Sequence, residues 1–369
     1  MSRDLERLRG YIGTLDSKLV NLLNERASLS LEVGAAKRAQ AAESSEVQAK
    51  DVYIPAQEKA VFEKLKKMNR GPLSGDSLCS IYREIMSASI SLQKDVSIAY
   101  LGPAGSFTHQ AAVKRFGDSI TYKPYDNISD VFDAIEGDQV TYGIIPIENS
   151  TFGSVVLTLD RFIRSDKVQI RAETYLPIQQ CLLSNFQKGA ITKIYSQPVA
   201  FGQCQKWLDE NLPGVERINV SSTSHAAELA SREMYAAAVC SSVCADLYNL
   251  QIVQQDISDL RNNHTRFFII GKNCDKSTGD DKTLLYFTVD HRQPGALCDG
   301  LKVFKDYSLN LTHIDSRPSH QRPWHYVFFV EFEGHKDDDS VKKALADLSN
   351  YCLDIVVLGS YPNQRPSNA

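Results

Sequence analysis

In the N-terminal part of the chain, polar side chains stand where helical periodicity calls for apolar ones. Arg26 interrupts an apolar seam between Leu22 and Leu29, and Lys37 follows Val33 by four on the same face. Glu58 shares a stripe with Ile54, Val61 and Leu65, while Ile85, Ser89 and Gln93 fall at i, i+4 and i+8. Singly, each reads as a snorkelling or ion-paired side chain. Together, and with Arg9 beside Leu8, they describe a cavity for an anion, because a buried charge is costly unless it is paired.

Further polar clusters follow. Gly102-Pro103-Ala104-Gly105-Ser106-Phe107-Thr108 joins a strand-like run to a helix, a turn whose N–H groups could face an anion. Pro146-Ile147-Glu148-Asn149-Ser150-Thr151, Tyr195-Ser196 with Gln203-Cys204, and His264-Thr265-Arg266-Phe267 each end an expected strand, where open α/β sheets place ligands. Taken alone, these are a turn, a cap and a β-branched strand residue. Near the C-terminus, Pro294-Gly295-Ala296-Leu297 opens a helix, and Asn310-Leu311 and Asp315-Ser316-Arg317-Pro318 bracket a strand. Alone, the glycine is commonplace and Arg317 is a surface ion pair.

Three kinds of block must position these groups. Leu5, Leu8, Ile12, Leu15, Leu19 and Leu22, continuing through Leu29 to Val33, form a coiled-coil-like seam on one long helix. About 34 helical residues at 1.5 Å rise span roughly 50 Å, longer than a small domain is wide, so a partner chain is expected along it. The stretch 39–50 reads as a loop, Pro55 opens a second helix to about Met68, and a third runs from an Asp76 cap to about Lys94. From Val96 to Gly271, short β-rich runs alternate with helices, an α/β pattern. Asn273–Lys282 reads as a linker, and beyond it β-α-β-β-α-β gives the ferredoxin-like order, with a short polar tail.

With 369 residues, the chain suits two or three domains. Its 43% hydrophobic and 23% charged residues are those of a soluble globular protein, with no run of about 18 apolar residues to cross a bilayer. A net charge of −4 lacks the basic stripe of a nucleic-acid binder. The start, MSRDLERLRG, carries no signal-peptide core, so a cytoplasmic location is expected. Eight cysteines (79, 181, 204, 240, 244, 274, 298 and 352) form neither CxxC nor zinc spacing, which speaks against a metal site or a disulfide scaffold.

The helical block, residues 1–94, resembles the all-helical chorismate mutase domain that leads bifunctional P-proteins. The resemblance implies that Arg9 reaches across a dimer, Arg26 holds a substrate carboxylate, Lys37 and Gln93 donate to the ether oxygen, Glu58 binds the ring hydroxyl and Ser89 adds a contact. Gln57 stands where the family usually has arginine and brings no guanidinium fork. The four motifs GPxGSF, PIENS, YS(x)₆QC and TRF together resemble prephenate dehydratase over residues 95–274, implying two α/β subdomains around a cleft as in periplasmic binding proteins. Thr265 then serves the departing hydroxyl, with Glu148 as its titratable helper. Asn149, Ser196 and Gln203 position substrate, Arg266 faces a carboxylate, and Ser106, Ser150 and Thr151 join the binding groups. The family often reads YSHPQ where this chain has Tyr195-Ser196-Gln197-Pro198-Val199.

Residues 282–362 resemble the ACT domain of these dehydratases. Its two signatures imply a phenylalanine site at Gly295, Ala296, Leu297, Asn310, Leu311, Asp315, Ser316, Arg317 and Pro318. The implied whole is a multidomain enzyme of phenylalanine biosynthesis, a homodimer or tetramer that needs no cofactor. It would take chorismate and prephenate as substrates and phenylalanine as effector. Rival readings are a prephenate or arogenate dehydratase whose helical block only dimerises, and a non-catalytic amino-acid sensor.

Overall fold

The computed structural model describes residues 2–43, 53–260, 262–319 and 325–365. They form two compact units, one of residues 1–97 with 116–121 and one of 98–115 with 122–369.

The first unit holds α1 (Ser2–Glu43), α2 (Pro55–Met68) and α3 (Gly75–Gln93). The helix α1 runs past the expected loop boundary at residue 39, since Ala39-Gln40-Ala41-Ala42-Glu43 contains only good helix formers. Residues 44–50 of that expected loop lie outside the described residues. The third helix is capped by Ser74, whose Oγ accepts from Ser77 N at 3.0 Å, and not by Asp76. Asp76 lies instead in the first turn, where its charge suits the helix dipole.

The second unit begins with β1 (Ser97–Leu101), α4 (Phe107–Phe116), β2 (Thr121–Tyr125), α5 (Ile128–Glu136), β3 (Tyr142–Asn149), β4 (Gly153–Ser154), α6 (Val156–Arg164) and β5 (Gln169–Pro177). A second lobe follows, with β6 (Cys181–Ser184), β7 (Lys193–Ser196), α7 (Pro198–Gln203), α8 (Gln205–Asn211), β8 (Glu216–Asn219), α9 (Thr223–Arg232), β9 (Ala236–Cys240), α10 (Cys244–Tyr248) and β10 (Gln251–Gln254). The chain then returns as β11 (His264–Gly271), which inserts antiparallel between β3 and β5. The sheets run β2-β1-β3-β11-β5 in the first lobe and β10-β6-β9-β7-β8 in the second.

A third sheet, β13-β14-β12-β15, is built from β12 (Asp281–Thr288), α11 (Ala296–Asp306), β13 (Leu311–Pro318), β14 (Tyr326–Glu333), α12 (Asp339–Leu348) and β15 (Asp354–Pro362). This is the expected β-α-β-β-α-β order. One side of the sheet packs on α11 and α12 through Phe287, Phe304, Phe332 and Leu348. The other side shares a core with the first lobe, where Leu284, Val327, Phe329, Leu358 and Tyr361 join Ile170, Phe162 and Phe268. At Gly359 a Cβ would run into the Ile170 carbonyl oxygen, so only glycine lets β15 approach β5 so closely.

The expected linker is anchored, not loose. Arg171 pairs with Asp275 at 2.6 Å, Cys274 Sγ donates to Gln169 Oε1, and Asp281 and Lys282 are buried residues of β12. Lys282 belongs to a buried ionic cluster at the seam between sheets. Its ammonium lies 2.9 Å from Glu173 Oε1, and Arg266 Nε donates to Glu173 Oε2 at 2.8 Å. The Arg266 guanidinium also pairs with Glu331, which accepts from Tyr361 and Thr312 hydroxyls. Two cations thus balance two carboxylates largely shielded from water, and extra hydrogen bonds offset part of the desolvation.

Burial by itself would raise the Glu331 carboxyl, but Arg266 and Lys282 outweigh it and hold it at about 2. Since this value is below the unfolded carboxylate's, of roughly 4.3, Glu331 stabilises the fold fully above that pH. The contribution fades as pH falls toward 2. Glu331→Ala should therefore cost about 3–5 kcal/mol at neutral pH, read by urea unfolding, with the gap to the parent chain shrinking between pH 4 and 2.

Candidate active sites

In the helical unit, the Arg26 guanidinium donates to Ser89 Oγ, which itself donates to the Ile85 carbonyl at 2.7 Å. The expected partners from α1 and α3 therefore meet. Gly34 permits this approach, since a Cβ there would sit 3.1 Å from Gln93 Cγ. Gln93 Oε1 is buried with no hydrogen-bond partner among the described residues, and Arg38 anchors the Gln93 carbonyl at 2.8 Å. Lys37 and Glu58 are half-buried, whereas Gln57 and Arg9 are exposed. Arg9 lies seventeen residues before Arg26 on one helix, roughly 25 Å along the axis. It cannot serve the same cavity within one chain. The apolar seam of α1 is bare, Leu5 through Val33 being 48–62% exposed at every seam position.

In the second unit, β11 pairs with β3 so that Thr265 opposes Asn149 and Arg266 opposes Glu148. Alternation along a strand sends neighbouring side chains to opposite faces. Asn149 Nδ2 donates to Thr265 Oγ1 at 2.9 Å and to Asn263 Oδ1 at 2.8 Å, while Asn149 Oδ1 accepts from Thr151 N and Phe152 N. Asn263 lines a cavity of about 430 Å³ with Thr151, Phe152, Val199, Gly202, Gln203, Ser258, Asp259 and Leu260. Gln203 is held there by Gln180, whose Nε2 donates to Gln203 Oε1 at 3.0 Å. Residues from both lobes form this wall, so it is a cleft between them.

Glu148 and Arg266 are elsewhere. They line a different cavity, of about 410 Å³, with Ser150, Tyr175, His264, Lys282, Thr312 and Glu331. Glu148 lies 3.8 Å from Arg266 and 3.7 Å from His313. The expectation that Glu148 assists Thr265 and that Arg266 meets a substrate carboxylate is corrected: strand alternation turns both toward the third sheet. Ser150 ties strand ends together, donating to Asn262 O and accepting from His264 N.

Ser196 and Ser106 are corrected as well. Ser196 is fully buried and donates to the Val239 carbonyl at 2.7 Å. Ser106 Oγ donates to Leu101 O and accepts from His109 N, so it caps α4. The turn before α4 is filled by protein: a Cβ on Gly105 would lie 2.8 Å from Cys244 Sγ and 2.9 Å from Ser224 Oγ.

In the third sheet, Gly295 takes a left-handed φ of 85° at the entrance of α11, Ala296 is buried, and Leu297 and Leu311 pack on one core. Asn310, Ser316 and Pro318 are exposed, and Asp315 Oδ1 accepts from Ser316 N at 2.7 Å. Arg317 is more than a surface pair. It grips Asp160 of α6 with two bonds, at 2.8 and 3.0 Å, and ties the edge strand β13 to the first lobe.

Family models match in chain order: chorismate mutase type II over residues 8–94, prephenate dehydratase over 98–275 and the ACT domain over 283–350. The bifunctional chorismate mutase/prephenate dehydratase of Aquifex aeolicus is 42% identical over 367 residues, covering 97% of this chain and 98% of the relative. That of Pseudomonas aeruginosa is 38% identical over 360 residues, 97% of each chain. The chain belongs to the bifunctional chorismate mutase/prephenate dehydratase family. Among solved structures, prephenate dehydratase from Arthrobacter aurescens in complex with L-Phe matches with a TM-score of 0.67 and 30% identity, covering 74% of this chain and 92% of that one.

Within the dehydratase domain, reading of the motifs missed Asn263 and Val199. Asn263 lies two residues before Thr265, so strand-like alternation could have found it. Val199, at the departure from YSHPQ, forms part of the cleft wall, where it replaces a polar amide by an apolar surface. The placement of Ser196 has a direct consequence. Ser196→Ala should lower stability by about 1 kcal/mol through loss of a buried bond, visible in thermal melts, while kcat and KM for prephenate stay unchanged.

Proposed function

We propose that the helical unit rearranges chorismate to prephenate and that the interlobe cleft converts prephenate to phenylpyruvate, carbon dioxide and water. The observation that carries the second reaction is the Asn149–Thr265 pair at the joined ends of β3 and β11, beside a cavity walled by both lobes. Breaking the bond to the ring carboxylate releases an electron pair that aromatises the ring and expels the ring hydroxyl. The protein's part is to hold the ring and supply a proton to that hydroxyl. Asn149 donates into Thr265 Oγ1, so the threonine's own O–H is directed elsewhere, free for the departing oxygen. A threonine is a weak acid, and with Glu148 turned away its proton is replaced from water. Thr151 and Gln203 border the ring.

The rearrangement needs no nucleophile. Arg26, Ser89, Lys37, Gln93 and Glu58 would hold a dianion in its reactive conformer and stabilise charge on the breaking ether bond. The bare seam of α1 supports a homodimer, and the distance between Arg9 and Arg26 supports completion of each mutase site by the partner's helix. Phenylalanine is the feedback effector in this reading, bound at the motifs around Gly295–Leu297 and Asn310–Pro318. The grip of Arg317 on Asp160 gives that site a mechanical hold on the dehydratase lobe.

Supplied with chorismate alone, the protein should consume it and release phenylpyruvate, more slowly when phenylalanine is added. Thr265→Ala should cut phenylpyruvate formation roughly 10²–10⁴-fold while chorismate loss continues and prephenate accumulates. Unchanged phenylpyruvate formation would remove Thr265 from the mechanism. Leu15→Glu, which puts a charge on the seam, should shift the sedimentation coefficient to that of a monomer and abolish chorismate loss.

A further inference from the structure

We infer that Asn263 is a positioning residue of the dehydratase, setting the direction of the Thr265 proton through Asn149. The inference rests on the reading of Thr265 as the group that serves the departing hydroxyl. The orientation of the Asn149 amide is decided by its neighbours. Its Oδ1 accepts from two backbone N–H groups, Thr151 at 2.9 Å and Phe152 at 3.1 Å, so its other end must be the NH₂. That NH₂ has two protons and two acceptors in reach, Asn263 Oδ1 at 2.8 Å and Thr265 Oγ1 at 2.9 Å. Each proton has one destination.

Asn263 is itself fixed. It is only 5% exposed, and its backbone carbonyl accepts from Ile178 N at 2.8 Å, pinning the segment that enters β11 to the end of β5. Its side-chain oxygen therefore works as a stop for the Asn149 amide. Without that acceptor, the half-buried Asn149 amide loses one of the four hydrogen bonds that set its last torsion, and it turns from its present angle. Such a turn withdraws the second N–H from Thr265. A hydroxyl has one proton and two lone pairs, so once Asn149 no longer occupies a lone pair the Thr265 rotor is free to donate toward Asn149 or the backbone. Asn263 then controls a proton that it never touches. It also lines the cleft, and the KM for prephenate distinguishes positioning from direct contact with substrate.

The experiment measures kcat and KM for prephenate on the full chain, below the melting temperature of each variant, for Thr265→Ala, Asn263→Leu, Asn149→Ala and the Asn149→Ala/Asn263→Leu double variant. Asn263→Ala stands in if leucine lowers the melting temperature too far. Displacement of a reacting group by about 1 Å can cost on the order of 100-fold, so Asn263→Leu should lower kcat roughly 30- to 100-fold with KM nearly unchanged. Because it acts through Asn149, adding it to Asn149→Ala should lower kcat by no more than about threefold further. A near-native kcat for Asn263→Leu overturns the inference, as does a loss that appears in KM or one that multiplies in full with Asn149→Ala. The underlying reading fails separately, by an active Thr265→Ala variant; an inactive Thr265→Ala beside an active Asn263→Leu sinks the present inference alone.

Discussion

Most of the second unit depends on the return of β11 into the first sheet. The strand enters antiparallel between β3 and β5 after the chain has built the second lobe, so the sheet cannot be completed until that lobe exists. This pairing is non-local, and its register matters because a slip by one residue would exchange the two faces of the strand. In the observed register, Thr265 and Asn149 share the hydrogen-bonded network by the cleft, while Arg266 and Glu148 serve the seam with the third sheet. A single tripeptide thus supplies one residue to the network by the cleft, one to ionic packing and one to the apolar core, where Phe267 is buried.

Buried ions at that seam are an unusual way to join two sheets. Hydrophobic residues would join them with less desolvation, and a buried pair is weak evidence for stability in itself. Charges do, however, constrain geometry: Arg266 must meet both Glu173 and Glu331, and Lys282 must reach Glu173 from the neighbouring sheet. The apolar contacts around Leu284, Phe329 and Tyr361 supply the driving force, and the ionic groups select one alignment among those the apolar surfaces would tolerate. The same seam adjoins the residues next to Thr265 and Asn149, so the ACT sheet and the cleft are joined through neighbouring residues of β3 and β11.

Much of this was legible in the residues. Periodicity found the three helices and the ferredoxin-like order, and four ordered motifs marked the ends of β3, β7 and β11 together with the turn before α4. Legibility failed where a motif residue has a structural duty. Ser196 and Ser106 carry hydroxyls that bond carbonyls or cap a helix, and their sequence neighbours look the same in either role. It failed for Glu148 because a strand end was read as a point, without following alternation to the opposite face. The strand β2, with Pro124 inside it and an exposed edge, gives little apolar signal and was not anticipated. Polar Asn273–Lys282 read as a linker because the partners that bury it, Gln169, Arg171 and Glu173, lie a hundred residues upstream.

That misread segment has a wider consequence. Linkers are where proteolysis separates domains, and the composition here marks such a place. Yet Gly359 lies against the β5 backbone, and the ACT sheet covers Arg266 and Glu173, so a chain cut after residue 275 would bare two ions and an apolar face at once. The dehydratase and its regulator match two separate family models but share one core, and are expected to unfold in a single step. Relief from feedback by substitution at the effector motifs leaves this shared core intact, whereas deletion of the whole sheet would strip the first lobe of one side of its core.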